Sequence, residues 1–172
     1  NLDQPQALDV LRINHSERAD DIYAIYSKRY PEYSATQLIA AVDTDTHFKM
    51  PMWKLLRERL QSHANTWSYM FTWTSPIFDG VLGASHGLDI PFIFNNVESE
   101  RVHVYTGNDS SAPELALAMS QELLTFGRSG RPNWVPYDLD SRTIRIFNVP
   151  QSTSHSADLS PNSEIYDFWM NS

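Results

Sequence analysis

At Thr66 the apolar spacing of the chain changes from three-and-four to two. Trp67, Tyr69, Phe71 and Trp73 alternate with Ser68, Met70 and Thr72. Aromatic residues at period two describe a strand with one buried face. A second such run lies at Thr143–Val149, with Ile144 and Ile146 on one side. Between them stands the clearest helical pattern in the chain, Pro113–Gly127, where Leu115, Ala118, Met119, Leu123 and Phe126 share broadly one side. Strand, helix, strand is the pattern of one crossover unit in a parallel sheet. Two strands alone make a poor sheet. The spacing therefore predicts an α/β fold with few strands flanked by helices, whose sheet is completed by residues outside this sequence.

Upstream the period is helical. Ile22, Ile25, Tyr26 and Arg29 predict a helix over Asp20–Tyr30, ended by Pro31, because proline disfavours helix in the residue before it. Residues 5–14 suit a short helix or a loop. Ser34 with Gln37 three positions on offers a capping box for a helix bearing Leu38, Ala41 and Val42. That helix is expected to fade in a turn at Asp43–Thr46. The next, Phe48–Ala64, carries Met52, Leu55, Leu56 and Leu60, with Pro51 in its first turn. Val102–Val104 suits a short extended piece, and Gly127 suits the cap of the long helix. Ser152–Ser163 reads as a polar loop and Ile165–Met170 as a short terminal helix. No internal repeat is visible.

Several function classes drop out on charge and composition. Thirteen basic against 21 acidic residues give a net charge of −8, the wrong sign for a nucleic-acid footprint or for docking on anionic lipid. No cysteine is present, which removes disulfide and thiolate chemistry. No apolar run is long enough to span a membrane, so a soluble chain is expected, cytoplasmic or secreted. Five of the six histidines (His15, His47, His63, His103 and His155) lack metal-ligand spacing, so neither a metal nor another cofactor is expected. The chain opens Asn1-Leu2-Asp3 without an initiator methionine, as a processed or cut chain does.

The chemistry concentrates in Gly83-Ala84-Ser85-His86-Gly87-Leu88-Asp89-Ile90-Pro91-Phe92-Ile93-Phe94, shortly after the aromatic strand. Small neighbours let the backbone turn sharply and bring an imidazole close to a substrate. Ser85 formally completes Gly-x-Ser-x-Gly, the pattern of a nucleophile elbow. An elbow needs a buried strand directly before it and a helix directly after. Here Asp79 and Gly80 precede, and Pro91 would fall in the first turns of the helix. Ser85 is therefore read as a neighbour of His86 rather than as a nucleophile. Asp89, three residues after His86, reads equally as a solvated loop carboxylate or as a residue holding the loop by hydrogen bonds. Most of the aromatics around this segment read as core; Phe78 is the candidate for lining a substrate pocket.

The segment resembles the histidine loop of type B carboxylesterases, para-nitrobenzyl esterases and cholinesterases. The likeness continues through Thr44-Asp45-x-x-Phe48-x-x-Pro51, Tyr69-x-Phe71-x-Trp73, Phe126-Gly127-Arg128-Ser129-Gly130-x-Pro132-Asn133, Trp134-x-Pro136-Tyr137 and Phe168-Trp169, in that order. It implies that residues 1–172 are the C-terminal segment of a single α/β-hydrolase domain, the part bearing the nucleophile being absent. It implies His86 as catalytic general base, Asp89 and Ser85 beside it, and a small-molecule ester as substrate. The serine and the acidic member of the triad would lie upstream of Asn1. Asp43 and Asp45 precede His86 but read as helix-terminating and capping residues. The implied partner is the N-terminal remainder of the same enzyme. The segment alone is expected to be inactive, and its open sheet edge and apolar patches invite self-association. The alternative is a cholinesterase-like domain that binds other proteins without catalysis; a self-contained domain using Ser85 is a third reading.

Overall fold

The computed structural model describes residues 2–62, 65–148 and 163–170. The chain divides into two compact units, one of residues 1–64 with 161–172 and the other of residues 65–160.

The first unit is helical. Helix α1 spans Gln4–His15, α2 Ala19–Arg29, α3 Ala35–Thr44, α4 Met50–Ser62 and α8 Ser163–Met170. The capping box of α3 forms as the sequence predicts: the Gln37 backbone N–H donates to Ser34 Oγ, and the Ser34 backbone N–H donates to Gln37 Oε1. Residues 5–14, open between helix and loop from sequence, are helical, with Asp3 and Gln6 forming a second capping box. The core joins Ala7, Leu11, Ala19, Ile22, Tyr26, Leu38, Val42, Ile165 and Trp169.

The turn expected at Asp43–Thr46 does not form. The chain stays helical through a wide π turn, Asp45–Lys49, whose closing bond runs from the Met50 N–H to the Asp45 carbonyl. Pro51 explains the widening. It has no N–H for the His47 carbonyl, and its ring crowds that carbonyl, so a looser preceding turn relieves both problems. Asp45 closes α3 at its C-cap but does not cap the next helix. It is buried, takes a hydrogen bond from the Tyr26 hydroxyl at 2.6 Å, and pairs with Lys49 Nζ at 2.6 Å.

The second unit holds the sheet. Strand β1, Tyr69–Phe71, runs parallel to β2, Arg145–Phe147, with Tyr69 opposite Arg145 and Phe71 opposite Phe147. A parallel pair needs a crossover, and α5 (Ile90–Ile93), α6 (His103–Thr106) and α7 (Ala112–Ser129) supply it. The strands are shorter than the period-two pattern, but backbone pairing continues beyond them. Arg145 N–H donates to the Ser68 carbonyl, Thr72 N–H to Phe147, and Tyr137 N–H to Thr66. Trp73, Leu88, Phe92, Leu115, Ala116, Met119 and Phe147 form the core, with the Phe92 ring 4.9 Å from Phe71 and 5.0 Å from Trp73. The fold is thus mixed α/β, with few strands flanked by helices.

Two local expectations change. Helix α7 runs through Gly127 and ends at Gly130, which adopts φ +72° and donates its N–H to the Phe126 carbonyl. A glycine inside a helix is tolerated; only the later one meets the left-handed geometry that a cap requires. Val102–Val104 is not extended. It enters α6, because buried Thr106 turns its hydroxyl back to the Val102 carbonyl and Gly107, at φ +58°, closes the turn. Of the polar loop Ser152–Ser163, all but the final residue lies outside the described residues; Ser163 begins α8.

Candidate active site

His86 sits on a ladder of tight turns between β1 and α5. Leu88 N–H donates to the Ser85 carbonyl and Ile90 N–H to the Gly87 carbonyl. Gly87 takes φ +79°, a conformation that a side chain at this point would resist. The next residue, Leu88, is 5% exposed and anchors the loop in the core, while Ser85 and His86 face outward. One end of the loop is thus fixed by burial and its imidazole is left accessible.

Asp89 is tied to the sheet. The Tyr69 hydroxyl, on β1, donates to Asp89 Oδ2 at 3.2 Å. Burial pushes the Tyr69 hydroxyl up to about 12; the Asp89 charge and the hydrogen bond add to the effect. The tyrosine therefore stays neutral, and a donor, throughout ordinary pH. Its folded-state value lies above the unfolded 10.0, so its stabilisation is complete below about pH 10 and is lost as pH rises toward 12. Tyr69→Phe should remove the tyrosine that ionises at about 12 from an alkaline absorbance titration. It should also flatten the fall in urea midpoint across that window. A step near 12 that survives in Tyr69→Phe would show that this ionisation is not that of Tyr69.

The same loop forms one wall of a pocket of about 380 Å³ lined by Ser85, His86, Gly87, Leu88, Ile90, Pro91, Val102 and Tyr105. The opposite wall is also pinned. Fully buried Ser75 donates its hydroxyl to the Tyr105 carbonyl at 2.5 Å and accepts the Ile77 N–H at 3.2 Å. The arrangement is an accessible imidazole on a fixed loop at the edge of a mostly apolar recess. This is a geometry suited to moving a proton at a bound, uncharged molecule.

Residues 3–169 match the Carboxylesterase family. The chain belongs to that family. Among solved structures, the chain is similar to an esterase from anaerobic Clostridium hathewayi that can hydrolyse aliphatic aromatic polyesters. The TM-score is 0.63 at 21% identity, over 99% of this chain and 32% of that one. It is similar as well to a Geobacillus stearothermophilus carboxylesterase, with a TM-score of 0.71 at 23% identity, over 86% of this chain and 32% of that one. The chain thus spans about a third of the length of these two structures. The α/β class read from the strand pattern agrees with this family, whose fold the chain shares in part.

Of the site residues expected from sequence, Ser85 and His86 share the pocket wall, and Asp89 lies behind them on Tyr69. Phe78 does not join them. It is 73% exposed, at φ +54°, and outside the pocket lining. No strand stands directly before Ser85: β1 ends at Phe71, and tight turns separate the serine from α5. Sequence reasoning missed Tyr69 as the partner of Asp89. The available signal was a tyrosine, not a phenylalanine, among alternating aromatics, since a buried hydroxyl needs an acceptor. It also missed Val102 and Tyr105. Among the described residues no helix is long and apolar enough to cross a membrane.

Proposed function

We propose that this chain is the C-terminal, histidine-bearing segment of a longer serine carboxylesterase, and that His86 is its general base. A serine carried by the remainder of the enzyme attacks the ester carbonyl, and His86 accepts the serine proton. The tetrahedral intermediate collapses, the carbon–alkoxy bond breaks, and His86 returns that proton to the departing alcohol. Water then repeats the sequence on the acyl-serine, releasing the acid and restoring the serine. Asp89 and Tyr69 position the loop. The observation that carries the reading is His86 itself, accessible on an anchored loop at the lip of a pocket.

Residues 1–172 then form one segment of a single catalytic domain, incomplete by itself. The exposed apolar side chains of the second unit, Val81 at 84% and Phe94 at 73% among them, are surface that the remainder covers. Left uncovered, they favour self-association of the isolated segment.

The test is chemical. The complete reading frame should hydrolyse para-nitrophenyl esters, and a fluorophosphonate should label one serine outside residues 1–172. The segment alone should do neither, lacking nucleophile and oxyanion donors. A label on Ser85 would install the self-contained reading. A complete protein that is folded, unlabelled and inactive would favour the protein-binding one.

A further inference from the structure

We propose that His15 is an acid-operated latch on α8: when its imidazole takes a proton, the Phe168-Trp169 pair loosens from the helical unit. The latch lies within that unit and does not depend on the esterase reading.

Helix α8 is eight residues long, too short to persist without packing. Ile165 and Trp169 enter the core beside Ile22 and Tyr26. The rest of the hold is polar and aromatic. The Arg18 guanidinium stands 4.5 Å from the Phe168 ring centre and 5.0 Å from that of Trp169, and donates to the Phe168 carbonyl at 3.3 Å. His15, the last residue of α1, lies against the same indole, with ring centres 5.6 Å apart. Trp169 Nε1–H donates to the Tyr26 hydroxyl at 3.0 Å. At the other end of α8, Glu164 pairs with Lys28 at 2.6 Å. Of the groups that hold Trp169, His15 is the one whose charge changes near neutral pH.

A neutral imidazole is a good partner for an indole in a half-buried site; an imidazolium there gives up hydration. Among the described residues, the charged and titratable groups that face His15 are Asp43 on α3, Arg18 between α1 and α2, and His47 in the π turn. Arg18 already supplies the cation of the ring cluster, so a proton on His15 adds a second one beside it. Burial is the largest effect and opposes the proton. Asp43 favours it, Arg18 and His47 oppose it, and the balance holds the imidazole below its ordinary 6.5. An open α8 returns His15 to water and to its ordinary affinity for the proton. The closed state therefore binds the proton less well than the open one. Closure is complete above pH 6.5 and weakens as pH falls below it.

The experiment is amide hydrogen exchange on the complete protein, corrected for intrinsic rates, between pH 7.5 and 5.5. Histidines titrate in this window and carboxylates in general do not. The opening equilibrium of residues 163–170 should rise about threefold or more on acidification, while the protection of α7 holds. His15→Gln keeps a polar side chain that takes no proton, and should abolish the rise. Asp43→Asn removes the charge that favours the proton, and should enlarge it. Protection of α8 that is constant across the window would overturn the latch. So would a rise that persists in His15→Gln, since it belongs to another group, or an equal rise in α7, since that is global unfolding. If His15→Gln leaves α8 open at every pH, Asp43→Asn decides: a larger rise than in the parent supports the latch, and one no larger refutes it.

Discussion

His86→Ala in the complete enzyme is expected to lower kcat by about 10⁴- to 10⁶-fold with little change in KM. In the proposed mechanism, without the imidazole the serine hydroxyl has no acceptor for its proton and the leaving alkoxide has no donor. The oxyanion donors of the remainder still act, so the variant keeps a residual rate above the uncatalysed one. The loss is chemical rather than structural, because His86 is exposed and the core contact of its loop is made by Leu88. The urea midpoint should correspond to a stability within about 1.5 kcal/mol of the parent. Added imidazole should restore part of the rate, which a merely structural role would not permit. Ser85→Ala, by contrast, should retain acylation. Near-normal turnover in His86→Ala would place the base elsewhere, and abolished acylation in Ser85→Ala would make Ser85 the nucleophile.

Where the signal was local, the sequence was readable. Ser34 and Gln37 are three residues apart, and their cap depends on nothing else. The period of Tyr69, Phe71 and Trp73 gave the strand, and a helix between two strands gave the parallel pairing. His86 was nominated by resemblance rather than by local signal, since a glycine-flanked histidine alone says little and the ordered motifs around it carry the reading. Failures came where a distant partner decides. The helix persists past Asp43 because Asp45 is buried against Tyr26, and α6 forms around Thr106, which is buried by unit packing. The support of Asp89 by Tyr69 spans twenty positions of sequence and leaves no local mark. The pocket was invisible for the same reason: it needs α6 beside the His86 loop, and period-two or helical spacing says nothing about that approach.

Asp45→Leu is expected to destabilise the helical unit by about 3 kcal/mol, read as a lower urea midpoint. Asp45 ends a buried chain of donors. Trp169 Nε1–H, on α8, donates to the Tyr26 hydroxyl at 3.0 Å, Tyr26 donates to Asp45 Oδ2, and Lys49 pairs with Oδ1. Burial raises the Tyr26 hydroxyl above its ordinary range, and the Asp45 charge and hydrogen bond reinforce this, so the phenol remains a donor. Leucine at 45 leaves that donor without an acceptor in a dry site. Lys49 contributes less to the loss, because its partly exposed amine can turn to water. The comparison that separates these effects is the double variant. Tyr26→Phe with Asp45→Leu removes donor and acceptor together, and should recover a large part of the loss, although Trp169 Nε1–H then lacks its acceptor. Asp45→Asn keeps an acceptor for Tyr26 and gives up the charge, so it should fall between parent and Asp45→Leu. If the double variant is no more stable than Asp45→Leu alone, the Tyr26 hydroxyl is not what Asp45 satisfies. The outcome also bears on the role of Asp45 in the fold, whose carboxylate fastens the turn before α4 to α2, and through Tyr26 to α8.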